Sequence, residues 1–178
     1  MYSDLQIETY ILKKPVYDIA DLEKDPYSYL ILLQHEKVEA IELLRGKVEN
    51  PFNRAIDIEG SIYICYKGRE VSPLIYWDEV DSLWAYYINL IEEYLENGNA
   101  TCYFPGQPIP IILKKGSNNM MLFSVNNVEI LVAERYFLLI LLNKAKEFFE
   151  FLSSISLNNY YENENSQIKS ILAKIGKA

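Results

Sequence analysis

One histidine and two cysteines are all that this chain of 178 residues offers for imidazole or thiol chemistry. His35 stands four residues before Glu39, and on a helix that spacing would form the His–carboxylate pair that is the least a general base requires. No serine or cysteine nucleophile motif accompanies the pair, so it reads more simply as two solvated side chains. Cys65 and Cys102 sit among aromatic and β-branched neighbours, as buried strand thiols do, with no base beside them to make a thiolate. A disulfide between them is left open by the sequence. Zinc needs a Cys/His cluster, and three such scattered residues do not make one. Asp78, Glu79 and Asp81 lack the alternating oxygen ligands of an EF-hand loop and suit a helix start better. The seven glycines stand singly at turns, never as a loop that cradles phosphate. The expectation is a protein with no cofactor, no metal and no catalytic site.

Charge narrows the partners. The formal net charge of −8 opposes binding to nucleic-acid phosphates or anionic membranes and favours a basic protein partner. The opening "MYSDLQIETYILKK" carries Asp4 and no apolar run of signal-peptide length, and no later run would span a bilayer, so the expected location is cytoplasmic.

The elements that must position these residues follow from periodicity. Half of the residues are hydrophobic, enough for one substantial core. "LQIETYIL" alternates as a strand does. A helix is expected from Asp25 as cap, through Pro26 at its first position, to a stop at Gly46, with Leu30, Leu33, Ala40 and Leu44 on one face. "SIYICY" and "REVSPLIYW" read as a hairpin about Lys67-Gly68, with Pro73 marking the second arm as an edge. A helix from about Asp78 to Asn97 follows, then "ATCYF", "IPIILKK" and the hairpin "MMLFSV"/"VEILVA" about Asn126-Asn127. A long helix over "ERYFLLILLNKAKEFFEFLSS" is apolar nearly all round in its front half. After a polar linker, "NNYYENENS", a short helix is expected with Ser166 as cap and Ile168, Ile171, Leu172 and Ile175 on one face. The fold class is α+β: a mixed or mainly antiparallel sheet of hairpins packed against two or three long helices. The organisation is one domain over 1–156, with the linker and terminal helix of 157–178 packed on it.

Two stretches invite a functional reading. On "WDEVDSLWAYYINLIEEYLENG", Val80, Trp84, Tyr87, Ile91 and Tyr94 form a core stripe, widened by Leu83, Ile88, Leu90 and Leu95. The opposite face carries Asp81, Ser82, Tyr86, Asn89, Glu92, Glu93 and Glu96. Glutamates near a helix C-terminus oppose its dipole, so they are either an ordinary solvated face or an acidic rim around Tyr86 retained for binding. In "YFPGQPIPII", Pro108 and Pro110 would deprive one side of a strand of donors and so protect a sheet edge. The alternative is a rigid loop over 105–108 that presents Phe104 and Gln107 beside the acidic helix.

In overall character, the helix and sheet "WDEVDSLWAYYINLIEEYLENGNATCYFPGQPIPI", within a small acidic, tyrosine-rich α+β chain, resemble the immunity proteins that accompany bacterial toxins. The resemblance spans about residues 60–155 and implies stoichiometric binding that occludes a toxin domain. On that reading the partner face is Asp81, Ser82, Tyr86, Asn89, Glu92, Glu93, Glu96 and Gln107. A competing reading is a structural or phage assembly protein acting as a homo-oligomer, motivated by Tyr136, Leu139 and Ile140 on the polar side of the last long helix.

Overall fold

Leu5, Ile7, Thr9 and Ile11 point inward from the first strand, β1 (Leu5–Leu12), of a computed structural model that describes residues 4–48, 58–155 and 160–177. Asp18 then caps a short helix, α1 (Ile19–Lys24), its Oδ1 accepting the Ala20 N–H at 2.9 Å. One turn of 3-10 helix (Pro26–Ser28) leads into β2 (Leu30–Leu32), and α2 runs over Lys37–Val48. The chain continues through β3 (Glu59–Tyr66), β4 (Arg69–Ser72), β5 (Trp77–Glu79) and α3 (Val80–Asn97). A meander of β6 (Asn99–Tyr103), β7 (Pro110–Lys115), β8 (Met120–Val125) and β9 (Val128–Ala133) follows, then α4 (Glu134–Ile155) and α5 (Glu162–Lys177).

The fold is α+β, with two sheets in which every pairing is antiparallel. The first has the order β2-β1-β3-β4, with β5 also on β3, and the second the order β6-β7-β8-β9. Pro73 explains the split between β4 and β5. Lacking a ladder donor, it ends β4, and residues 73–76 loop out before Trp77 rejoins the same edge of β3 opposite Ser61. The two sheets meet where the Arg69 Nη1 of β4 donates to the Glu129 carbonyl of β9 at 2.9 Å. That bond satisfies a backbone acceptor on a strand edge that would otherwise be open.

One cluster of buried side chains extends from Leu5 to Ile175 and draws on both sheets and on α2 to α5. Its centre is a chain of rings: Phe137, Phe123, Tyr87, Trp84, Phe148, Phe149 and Tyr161, with successive centroids 4.7–6.4 Å apart. These separations suit tilted and edge-on aromatic pairs, each worth about 0.5–1.5 kcal/mol beyond the area buried. The Trp84 indole also donates to Thr9 Oγ1 at 3.2 Å, which accounts for a threonine on the inner face of β1. A second, smaller cluster of Tyr10, Leu22 and Leu30 covers the outer face of the first sheet.

Several expectations are corrected. Residues 26–46 are not one helix. Leu30 and Ile31 are both buried, one in each cluster, and only the alternating faces of a strand paired with Tyr10–Leu12 bury adjacent side chains that way. His35 therefore lies in the turn before α2, off the helix that carries Glu39, and α2 continues past Gly46. Pro108 and Pro110 do not guard a rim, because β7 is an interior strand. Pro108 precedes it, and Pro110 is its first residue, where its carbonyl still accepts the Asn126 N–H at 3.0 Å. The helix at the C-terminal end starts at Glu162 rather than at Ser166. The acidic "ENEN" stretch forms its opening turn, where Glu162 and Glu164 suit the positive end of the dipole. Asp78 belongs to β5 rather than to α3, and Leu95 is exposed rather than in the core stripe. Gly98 ends α3 with φ of 73°, the left-handed stop that the sequence indicates. Cys65 and Cys102 are free, half-buried thiols on different sheets. Among the described residues, no helix is long and apolar enough to cross a membrane.

Candidate partner-binding surface

Part of the acidic face of α3 is occupied by the chain itself. α5 lies along it: the Gln167 side-chain amide donates to Asn89 Oδ1 at 2.9 Å and to Glu92 Oε2 at 2.8 Å, and Lys174 Nζ meets Glu92 Oε1 at 3.2 Å. Together these bonds hold the Glu92 carboxyl below its ordinary range. Ile168, Ile171 and Ile175 are buried on the same side of α5, so apolar packing supplies the attachment and the polar bonds set its register. Near the start of α3, the Tyr161 hydroxyl donates to Asp81 Oδ2 at 3.3 Å. Burial pushes the Asp81 carboxyl up to about 6, outweighing the hydrogen bonds from backbone N–H groups and from Tyr161. Ser82 Oγ turns to Glu79 Oε2 at 3.2 Å. Tyr86, Asn89, Glu93 and Glu96 remain exposed, and burial, with a smaller contribution from Glu93, raises the nearby Cys102 thiol to about 12, which keeps it protonated.

Gln107 belongs to a different surface. The loop that carries it is clamped by Asp78, which is 5% exposed and whose two carboxylate oxygens both accept the Gly106 N–H at 3.0 Å. Asp78 Oδ1 also takes the Glu79 N–H at 2.8 Å. A Cβ on residue 106 would lie 2.9 Å from that oxygen, so any larger residue there would push the carboxylate aside. Gln107 Nε2 donates to the Trp77 carbonyl, and Phe104 is buried edge-on against Tyr76 rather than presented. The Pro-Gly-Gln-Pro stretch thus fastens the second sheet to β5 of the first.

This fastened corner forms one wall of a cleft of about 400 Å³, completed by Val16, Tyr17, Ile19, Glu59, Trp77 and Glu79. Across α1 is a second cleft, of about 330 Å³, lined by Tyr10, Glu23, Tyr27, Tyr63 and Glu70 among others. Among the described residues, neither cleft is lined by lysine or arginine. Large apolar side chains are exposed at both clefts, with Tyr17 at 93% and Ile19 at 57% lining the first and Tyr27 at 65% lining the second. Sequence reasoning missed this surface because it assigned residues 26–46 to one helix and left 13–24 unread. The readable signal was Asp18 as a helix cap immediately before Ile19.

Comparison with protein-family models, with curated proteins and with solved structures finds no match for this chain.

Proposed function

We propose that this chain is a non-enzymatic binding module that docks a basic protein on the α1 surface, and that it works as an immunity protein does, occluding a toxin domain in the cytoplasm. The observation that carries this reading is the exposure of Tyr17, Ile19 and Tyr27 at two clefts that contain carboxylates and, among the described residues, no lysine or arginine. The exposed apolar side chains supply contact area and the carboxylates, with a net charge of −8, speed encounter with a cationic partner. The Asp78–Gly106 clamp holds one wall in place before binding, which limits the ordering cost.

The test is affinity capture from the native lysate with wild type, Tyr17→Ala/Ile19→Ser, and Tyr86→Ala/Glu93→Lys, each first shown to melt as the wild type does. Stoichiometric recovery of one basic protein, lost only in the first variant, supports the α1 surface. Loss only in the second variant places docking on the exposed remainder of the α3 face instead. Recovery of this chain alone favours self-assembly. Exposed Leu131 on β9 and Tyr136 on α4 motivate that second reading, although Leu139 and Ile140 are packed against the core. Light scattering over a concentration series separates a monomer from an assembling species.

A further inference from the structure

We propose that the cleft between α1 and the 73–75 loop is a receptor for a single arginine side chain presented by the basic partner. The proposed function supplies only the source of that arginine; the site stands on its own geometry. Tyr10 is buried at the cleft, and its ring lies 6.4 Å from that of Tyr27 at an interplanar angle of 51°. Tyr63 on the adjacent strand adds a third ring, and Pro26, Pro73, Leu74 and Ile75 complete apolar walls. Glu23 and Glu70 line the same space.

The hydrogen bonding suits a cation. The Tyr10 hydroxyl donates to Glu8 Oε2 and the Tyr63 hydroxyl to Glu70 Oε1, each at 3.0 Å. The Tyr63 phenol thereby spends its donor on holding the cleft's Glu70 in place, leaving carboxylate acceptors for a bound group, while the Tyr10 phenol is spent on Glu8, which does not line the cleft. Burial and these bonds raise both phenol pKa values well above the ordinary 10, so the rings stay neutral. Two basic side chains close to these residues in sequence are committed elsewhere, and Lys24, next to Glu23, does not line the cleft. Arg69, on the opposite side of β4 from Glu70, donates to the Glu129 carbonyl, and Lys14 Nζ sits 3.9 Å from the centroid of Tyr29. Flat rings with carboxylates beside them match a guanidinium, which stacks on aromatic faces and donates in a planar fork, better than a strongly hydrated ammonium.

The test titrates the full chain with Nα-acetyl-arginine-methylamide, the corresponding lysine compound and the neutral isostere citrulline, followed by backbone amide shifts in NMR. A millimolar Kd is the scale expected for one side chain out of context, with shifts confined to residues around 10, 23–27, 63 and 70–75. Lysine should bind several-fold more weakly and citrulline not measurably. Glu70→Gln and Glu23→Gln, which keep size and a hydrogen-bond acceptor, should each weaken arginine about 10-fold without changing the melting temperature. Equal binding of arginine and citrulline, or shifts elsewhere, overturns the assignment while leaving partner capture as an independent result. Arginine binding by a chain that captures no basic protein would instead keep the site, identify a free guanidinium compound as its ligand and remove the docking reading.

Discussion

Replacing Asp81 with asparagine should make the protein more stable at neutral pH. The carboxyl lies under Tyr161 at the junction of α3 and α5, and burial lifts it from an ordinary 3.8 to about 6. Between those values the folded chain holds a proton that the unfolded chain has released, so stability falls as pH rises from about 4 to about 6 and the penalty is complete above that. At about 1.4 kcal/mol per pH unit, the penalty at pH 7 is at most about 3 kcal/mol, trimmed by water reaching the carboxyl to ~1–3 kcal/mol. Asparagine keeps the shape and a carbonyl oxygen for the Tyr161 hydroxyl but never carries the charge. Urea unfolding of wild type and Asp81→Asn at pH 4, 5, 6 and 7 should give equal stabilities at pH 4 and a gap that opens by pH 6. A variant less stable at pH 7, or a gap independent of pH, would show that the fold uses this charge, and the reasoning would be refuted.

Tyr87→Phe should raise stability by about 1 kcal/mol, a few degrees in Tm, because the hydroxyl is fully buried with no hydrogen-bond partner among the described residues; unchanged or lower Tm would point to a bond made by that oxygen. Asp78→Ala should cost ~1–3 kcal/mol and speed hydrogen exchange at Gly106, whose N–H loses both acceptors; protection that survives the change would exclude the clamp. Ile171→Ala should destabilise by about 2–5 kcal/mol in denaturant unfolding, since that side chain is fully buried between α5 and the core, and a cost below 1 kcal/mol would mean that α5 is only loosely docked.

Local patterning carried the sequence reading furthest where one element buries one clean face. The α3 stripe, apart from Leu95, and the Asn126-Asn127 hairpin emerged as read, the turn residues having φ of 45° and 68°. Reading failed where tertiary pairing overrode spacing: Leu30, Leu33, Ala40 and Leu44 are all buried, yet they come from a strand, a turn and a helix rather than from one helical face. The prolines failed for a related reason. A missing donor says where a ladder bond is not needed, and the first residue of an interior strand satisfies that as well as a rim does. For the surface, residue type gave the charge but not the occupant. Nothing in "NLIEEYLEN" announces that Gln167 and Lys174, some 80 residues on, will fold back onto Asn89 and Glu92.

The ring chain around Trp84 has a consequence for observation. The sequence holds two tryptophans, and they occupy contrasting places: Trp84 is sealed among Tyr87 and Phe148, whereas Trp77 lines the cleft beside Tyr17. The chain therefore contains two optical reporters with separate subjects. Emission from Trp84 follows the integrity of the interior, and quenching of Trp77 by a water-borne agent follows access to the cleft. A Trp84→Phe variant that remains folded would leave Trp77 at the cleft as the single tryptophan, so that with excitation selective for tryptophan occupancy could be watched without attaching any label.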